Sequence, residues 1–336
     1  MKVVAYSIKP FEEEFLVVAN QKKHDITLLS NSLNLQTASF AAGKDAVLVF
    51  TNDDVSAPVI NQLSAMGIKY IATRSAGTDH IDKDTAAACG IKLANVPVYS
   101  AEAIAEHTVA LALALSRQLV QSQHNVKHFD FRQDGLVGFN FYGKTVGLIG
   151  LGHIGQATAA IFNGLGCKVI GYDIVQPDST GVIEYVKLEE LLQQSDIISL
   201  HAPLTPDTRH IINKITLKLM KSGVMLLNTS RGGLIDTAAV LEALQVGKVG
   251  YLGLDVYENE RDLFFGNHAY DLYKDPLFDE MINQPNVLIT PHQAYLTREA
   301  LQQIAVQTIR NLDMWQQNKC VGKACVCARN CRALIV

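Results

Sequence analysis

The chain has 336 residues, 48% of them hydrophobic, with 29 basic and 33 acidic residues and a net charge of −4. Such a length and composition can fill two cores, and the scattered charge leaves no basic stripe, which excludes a nucleic-acid partner. The apolar run from Val109 to Leu115 is far too short to span a membrane, and the opening run Met1-Lys2-Val3-Val4-Ala5-Tyr6 reads as a strand without signal-peptide architecture. Both features point to a cytoplasmic protein with no membrane partner.

Along the chain, strand-like runs fall at 3–6, 26–29, 46–50, 70–73 and 92–95, with helical stretches between them, so a small parallel-sheet α/β domain is expected. A long helix follows, with Ser100 as N-cap, Glu102 and Glu106 favouring its dipole and an apolar face over 105–119. A second series of runs lies at 145–149, 169–172, 197–200, 224–228, 251–254 and 287–290, the count of a complete doubly wound sheet. Leu301, Ile304, Ala305, Thr308, Ile309, Leu312 and Trp315 then recur at helical spacing, a closing amphipathic helix that periodicity assigns to neither domain.

The most informative stretch begins the second series. Gly150-Leu151-Gly152-His153-Ile154-Gly155 follows a strand and opens a helix, and Asp173 ends the next strand eighteen residues after Gly155. Gly150 permits the turn, Gly152 lets backbone approach a pyrophosphate, and Gly155 lets the helix pack closely, its N-terminus aimed at the phosphates. Asp173 can accept from both ribose hydroxyls and repels a 2′-phosphate, so the expected cofactor is NAD rather than NADP.

In an open parallel sheet, ligands bind beyond the carboxyl ends of the strands. The residues there are the glycine turn, Asp173, His201-Ala202-Pro203, Asn228-Thr229-Ser230-Arg231, Asp255 and Pro291-His292, with Glu258 and Glu260 a little beyond. Together they suggest hydride transfer to a 2-keto acid. Arginine offers a planar two-pronged donor to a carboxylate, and histidine can protonate the oxygen that gains charge. A carboxylate beside the imidazole would stabilise its cationic form. Spacing leaves Glu258 and Glu260 undecided, since both lie in the charged run 258–262, and it does not exclude His201 as the acid.

Six cysteines remain. Cys89 and Cys167 read as free thiols of a reducing compartment. Cys320, Cys325, Cys327 and Cys331 crowd the last seventeen residues with a spacing that matches no common metal pattern. With Arg329 and Arg332 they read as a poorly ordered basic tail with solvent-facing thiols, and no metal is expected.

The segments 150–155, Asn228-Thr-Ser-Arg-Gly-Gly233, Leu254-Asp-Val-Tyr-Glu-Asn-Glu260 and Pro291-His-Gln-Ala294 resemble the D-isomer-specific 2-hydroxyacid dehydrogenases. The run 255–265 is most like the fermentative D-lactate dehydrogenase branch, and the similarity extends to about residue 318. The resemblance implies a Rossmann-type NAD domain, residues 101–296, inserted in a flavodoxin-like substrate domain made of 1–100 and 297–336. It implies that Arg231 binds substrate, that Glu260 rather than Glu258 supports the acid, and that His292 is that acid. It also implies cofactor contacts at His153, Ile154, Asp173, Ala202, Pro203, Thr208, Thr229, Ser230, Arg231 and Asp255. Ser75, Ala76 and Gly77 would receive the substrate carboxylate, and Tyr99 and Tyr295 would line its small side. The implied substrate pair is pyruvate and D-lactate, in a homodimer or homotetramer whose nucleotide domains form the contact, with hinge closure before transfer. A broader-range D-2-hydroxyacid dehydrogenase is the alternative. A non-enzymatic NAD-sensing module would be expected to have lost one of the three polar groups.

Overall fold

The computed structural model describes residues 1–175, 181–260, 263–271 and 275–327. They divide into two compact units, residues 1–100 with those from 296 onward, and residues 101–295.

The first unit opens with β1 (Lys2–Ala5), α1 (Pro10–Asn20), β2 (Asp25–Leu28), β3 (Ala46–Val49), α2 (Ala57–Ala65), β4 (Tyr70–Thr73), α3 (Lys83–Ala88) and β5 (Lys92–Ala94). Its five strands run in the order β2-β1-β3-β4-β5, all parallel. The central strand β3, Ala-Val-Leu-Val, is buried at every position, as expected of a strand covered on both faces. Alternate residues explain how. Val4, Val47, Ile71 and Leu93 pack with Val59, Ile60 and Leu63 of α2, while Val3, Ala5, Leu48, Ala72 and Ala94 face the other way and pack with Leu16 of α1.

At the carboxyl ends of β1, β3 and β4 this unit buries charge. Arg74 is 1% exposed and bonds Glu12 through Nε at 3.1 Å and Nη2 at 3.2 Å, with Nη2 also donating to the Tyr6 carbonyl at 2.9 Å. Asp53 beside it accepts from Ser7 Oγ and from the Leu33 and Phe50 amides. Burial raises its carboxyl above the ordinary range, and burial followed by the Asp53 charge pushes Tyr6 up to about 12. Removing either partner of so deep a pair would be severely destabilising, because it would leave an unpartnered charge. The cluster fixes the backbone that leads into Ser75.

The second unit contains α4 (Ala101–Ser116), α5 (Leu119–Lys127), β6 (Thr145–Ile149), α6 (His153–Gly164), β7 (Lys168–Tyr172), β8 (Glu184–Tyr185), α7 (Leu188–Gln194), β9 (Ile197–Leu200), α8 (Lys214–Leu219), β10 (Val224–Asn228), α9 (Thr237–Gln245), β11 (Val249–Leu254), α10 (Pro276–Ile282) and β12 (Val287–Ile289). Its seven parallel strands lie in the order β12-β11-β10-β9-β6-β7-β8. The order reverses at β6, between β7 and β9, which is where a doubly wound sheet opens a ligand crevice. The fold class is therefore the expected one of two parallel-sheet α/β units. The long helix expected to run to 119 instead ends at Ser116, because Gln118 takes a left-handed conformation (φ 51°) and a second helix starts after it.

The last helix, α11 (Arg298–Gln316), is capped by Thr297, whose hydroxyl accepts from the Ala300 amide. It buries Ile309, Leu312 and Trp315 on the first unit's sheet, with Trp315 stacked on Tyr70 at 4.8 Å. The expectation of a loose tail does not hold for 320–327. Cys325 bridges antiparallel to Ala94, the Val326 amide donates to the Leu93 carbonyl at 3.2 Å, and the Leu93 amide donates to Cys327 Sγ at 3.1 Å. The open edge of β5 is what captures this segment, a pull that residue spacing does not reveal. Cys331, Arg329 and Arg332 lie outside the described residues. No described helix is long and apolar enough to cross a membrane, and no described cluster of His, Cys, Asp and Glu could hold a metal ion.

Candidate active site

The site grows from the carboxyl ends of three neighbouring strands, β10, β11 and β12. After β10 the chain turns sharply: Asn228 Nδ2 donates to the Arg231 carbonyl at 2.8 Å and Asn228 Oδ1 accepts from the Ser230 amide at 3.0 Å. Ser230 Oγ donates to the Ala202 carbonyl at 2.7 Å, and Thr229 Oγ1 pairs with Thr108 Oγ1 of α4 at 2.7 Å. Gly232 is required next, since a Cβ there would sit 2.1 Å from the Tyr257 carbonyl group. The turn presents half-buried Arg231, whose Nη1 donates to the Ser230 carbonyl at 2.7 Å.

After β11, Asp255 is fully buried and organises the loop that follows β12. Its Oδ1 accepts from Thr290 Oγ1 and the Gln293 amide, its Oδ2 from the Ala294 amide, and its carbonyl from the His292 amide. His107 of α4 closes the cluster, with Nε2 at 2.9 Å from Thr290 Oγ1 and 3.5 Å from Asp255 Oδ1. Nothing in the apolar pattern of α4 marks His107 or Thr108 for this role; only the fold brings them to the strand ends.

The loop held in this way carries His292. Its Nδ1 lies 2.7 Å from Glu260 Oε1, and Glu260 Oε2 accepts from the Tyr257 amide at 2.9 Å. An ionised carboxylate only accepts, so Nδ1 bears the proton and Nε2 is left as the working nitrogen. Phe265 lies against the ring, 5.7 Å between centroids, and both polar side chains are mostly buried, 15% and 22% exposed.

The geometry separates the two glutamates. Glu258 is occupied elsewhere: Oε1 meets His210 Nε2 at 2.5 Å and Arg209 Nη2 at 3.3 Å, and Oε2 accepts from Thr237 Oγ1 at 3.1 Å. It braces the loop, and Glu260 faces the histidine. Arg261 and Asp262, in the same charged run, lie outside the described residues. His201 is likewise removed as an acid. Its Nε2 pairs with Ser199 Oγ at 2.9 Å, and burial lowers it from 6.5 to about 4. A histidine neutral in the fold but protonatable in the unfolded chain favours folding fully above pH 6.5 and loses that contribution as pH falls towards 4. Thermal melts across that window should show Tm falling with pH, and His201→Asn should flatten the dependence; an unchanged slope would refute the assignment.

The nucleotide end lies at the switch point. Gly150 has φ 96°, and a Cβ on it would lie 2.5 Å from the His201 carbonyl carbon. A Cβ on Gly155 would lie 2.2 Å from the Gly150 oxygen, so α6 packs directly on the turn. A Cβ on Gly152 would meet nothing within 4 Å, so the exposed N-terminus of α6, with His153 and Ile154, is open to a phosphate. Asp173 accepts from the Leu151 amide at 2.6 Å and the Val175 amide at 3.1 Å, which fixes the carboxylate and leaves further lone pairs. Thr208 donates to the Pro203 carbonyl at 2.6 Å and shapes the turn after Ala202. These residues fit a dinucleotide with a free ribose diol.

Tyr295 is buried in the second unit beside Ala294. Ser75, Ala76, Gly77 and Tyr99 belong to the first unit. There Ser75 Oγ donates to the Gly77 carbonyl at 2.8 Å, and Asn95 Nδ2 donates to the Ala76 carbonyl at 2.7 Å, giving a braced loop at the end of β4.

A doubly wound sheet with this turn, and with a carboxylate-backed histidine at its strand ends, defines a nicotinamide-dependent oxidoreductase. Comparison with known proteins makes the class specific. Residues 109–294 match the D-isomer specific 2-hydroxyacid dehydrogenase, NAD binding domain. The chain is 44% identical to the D-lactate dehydrogenase kk1H of Curvularia clavata, over 98% of this chain and 97% of that one, and 42% identical to the D-lactate dehydrogenase of Escherichia coli, over 93% and 96%. A solved structure described as the pyruvate reductase of Chlamydomonas reinhardtii superposes with a TM-score of 0.90 at 43% identity, covering 96% of this chain and 98% of that one. The chain belongs to the D-isomer-specific 2-hydroxyacid dehydrogenase family, and its cofactor is NAD.

Proposed function

We propose that this protein is an NAD-dependent D-lactate dehydrogenase that interconverts pyruvate and D-lactate. The observation that carries the reading is the 2.7 Å contact between His292 Nδ1 and Glu260, which leaves Nε2 to exchange a proton with substrate. The nicotinamide, when bound, exchanges a hydride with C2 of the substrate. Arg231 holds the carboxylate. In pyruvate reduction His292 Nε2 gives its proton to the oxygen that becomes the hydroxyl, and Glu260 stabilises the imidazolium before transfer. Lactate oxidation runs the same steps backwards, with neutral His292 as the base. Asp255 and His107 hold the histidine loop in place. The similarity to two D-lactate dehydrogenases and a pyruvate reductase favours pyruvate over larger keto acids, and Tyr295 supports a small pocket.

The deciding experiment is NADH oxidation with pyruvate, 2-ketoisocaproate, phenylpyruvate and hydroxypyruvate, with chiral analysis of the product. Pyruvate should lead in kcat/KM by at least about tenfold, the discrimination a pocket achieves against added bulk, and yield D-lactate; a larger keto acid in the lead would move the protein to the broader-range branch.

Asp173 sets the nucleotide preference in this reading. Asp173→Asn keeps an acceptor for the Leu151 amide and removes the charge facing a 2′-phosphate. The NADH/NADPH ratio of kcat/KM should fall by about tenfold or more, since like-charge juxtaposition costs several kcal/mol. An unaltered ratio would sink the ribose assignment.

The protein is further read as a cytoplasmic homodimer or homotetramer. Free thiols at Cys89, Cys167 and Cys320 suit a reducing compartment. The second unit exposes Phe129 (86%), Phe131 (68%), Val137 (86%) and Tyr142 (82%) in one stretch of chain, an apolar concentration that favours self-association.

A further inference from the structure

The support for the histidine loop is one half of a wider arrangement on α4. This helix lies against β11, where Gly253 leaves room for it: a Cβ there would meet Leu115 Cδ1 at 3.2 Å and Leu111 Cβ at 3.5 Å. In the sheet β11 has β10 on one side and β12 on the other. Successive helix residues point about 100° apart, so two neighbours on α4 can reach one to each flank. His107 and Thr108 do so. His107 meets Thr290 at the end of β12, and Thr108 meets Thr229 at the end of β10.

The direction of each hydrogen bond follows from its surroundings. Both Asp255 oxygens accept backbone amides, so in the 2.5 Å contact with Thr290 the hydroxyl donates. With its proton committed there, Thr290 Oγ1 accepts from His107 Nε2. On the other flank Thr108 Oγ1 donates to the Ile104 carbonyl at 2.8 Å, and its oxygen therefore accepts from Thr229 Oγ1 at 2.7 Å. Both threonines are buried, so a partner lost there is not replaced by bulk water.

We propose, on the reading of His292 as the acid and Arg231 as the carboxylate ligand, that α4 sets these two groups separately. His107 is a positioning residue for His292, and Thr108 is a positioning residue for Arg231. His107 acts through Thr290 and Asp255, whose carbonyl and carboxylate together hold the amides of residues 292–294. A shift of that loop misaims the proton, and rate falls steeply with such misplacement. Thr108 acts through Thr229, two residues before Arg231, in the turn that Asn228 and Ser230 also hold. Loosening that turn weakens the grip on the carboxylate and leaves the acid where it is.

Steady-state kinetics of the intact chain with pyruvate at saturating NADH separates the two roles. His107→Leu should lower kcat about tenfold and leave pyruvate KM within about twofold, whereas Thr108→Val should raise KM about five- to tenfold with kcat within about twofold. His107→Gln keeps a donor and Thr108→Ser keeps the hydroxyl, so each should bring the affected constant back to within about threefold of wild type. Hydrogen exchange supplies a readout that does not depend on turnover. His107→Leu should speed exchange of the 292–294 amides and spare those of 230–235, and Thr108→Val should do the reverse. Variants that lower kcat and raise KM together, or that speed exchange over both segments alike, would overturn the division of roles. His292→Asn and Arg231→Lys serve as references in the same assays. If they impair kcat and KM respectively while the α4 variants move neither constant, this inference fails alone; if they do not, the functional reading fails with it.

Discussion

His292→Asn is expected to lower kcat for pyruvate reduction by about a hundred- to ten-thousand-fold, the range supplied by a positioned general acid, while KM for NADH stays unchanged. Asparagine is the informative replacement because residue 292 sits at φ 53°, a left-handed conformation that asparagine tolerates well, so the fold should survive. Glu260→Gln separates proton donation from charge support. The amide oxygen can still accept from Nδ1, but the charge that favours imidazolium is gone. The loss should therefore be smaller than for His292→Asn. A His292→Asn enzyme that keeps more than a tenth of wild-type kcat would remove this residue from the acid role.

Arg231→Lys should act on substrate rather than cofactor. Residue 231 is held by the Asn228 and Ser230 bonds whatever its side chain, so the turn should persist. Lysine keeps the charge but loses the planar pair of donors that matches a carboxylate. With charge-assisted hydrogen bonds contributing roughly 1.5–3 kcal/mol each, kcat/KM for pyruvate should fall by about ten- to a hundredfold or more, chiefly through KM. Titration of NADH binding by fluorescence supplies the control and should change by less than about twofold. An unchanged pyruvate KM would exclude Arg231 from carboxylate binding.

Much of this architecture is legible in the amino-acid sequence because it is local. Each buried strand is a short apolar run between turn residues, and the glycines of 150–155 are needed for reasons that act within a few residues of chain. What depends on distant partners is not legible. Glu258 and Glu260 look alike in their charged run, and only the approach of Arg209 and His210 shows that Glu258 is engaged structurally. His201 follows a strand just as His292 follows another, yet burial holds it neutral. The two-residue strand β8 is too short to show periodicity. The tail misleads for the opposite reason: its composition suggests a solvated end, but the unpaired edge of β5 offers backbone bonds that composition cannot register.

The left-handed backbone at His292 has a consequence for how this protein would change under selection. A non-glycine residue in that conformation gives up roughly 1–2 kcal/mol, so the chain would be more stable with glycine where the proposed proton donor stands. Libraries screened only for thermal survival should therefore enrich His292→Gly, yielding hardier but inert proteins. On the proposed mechanism, this backbone is a local case of stability traded for activity.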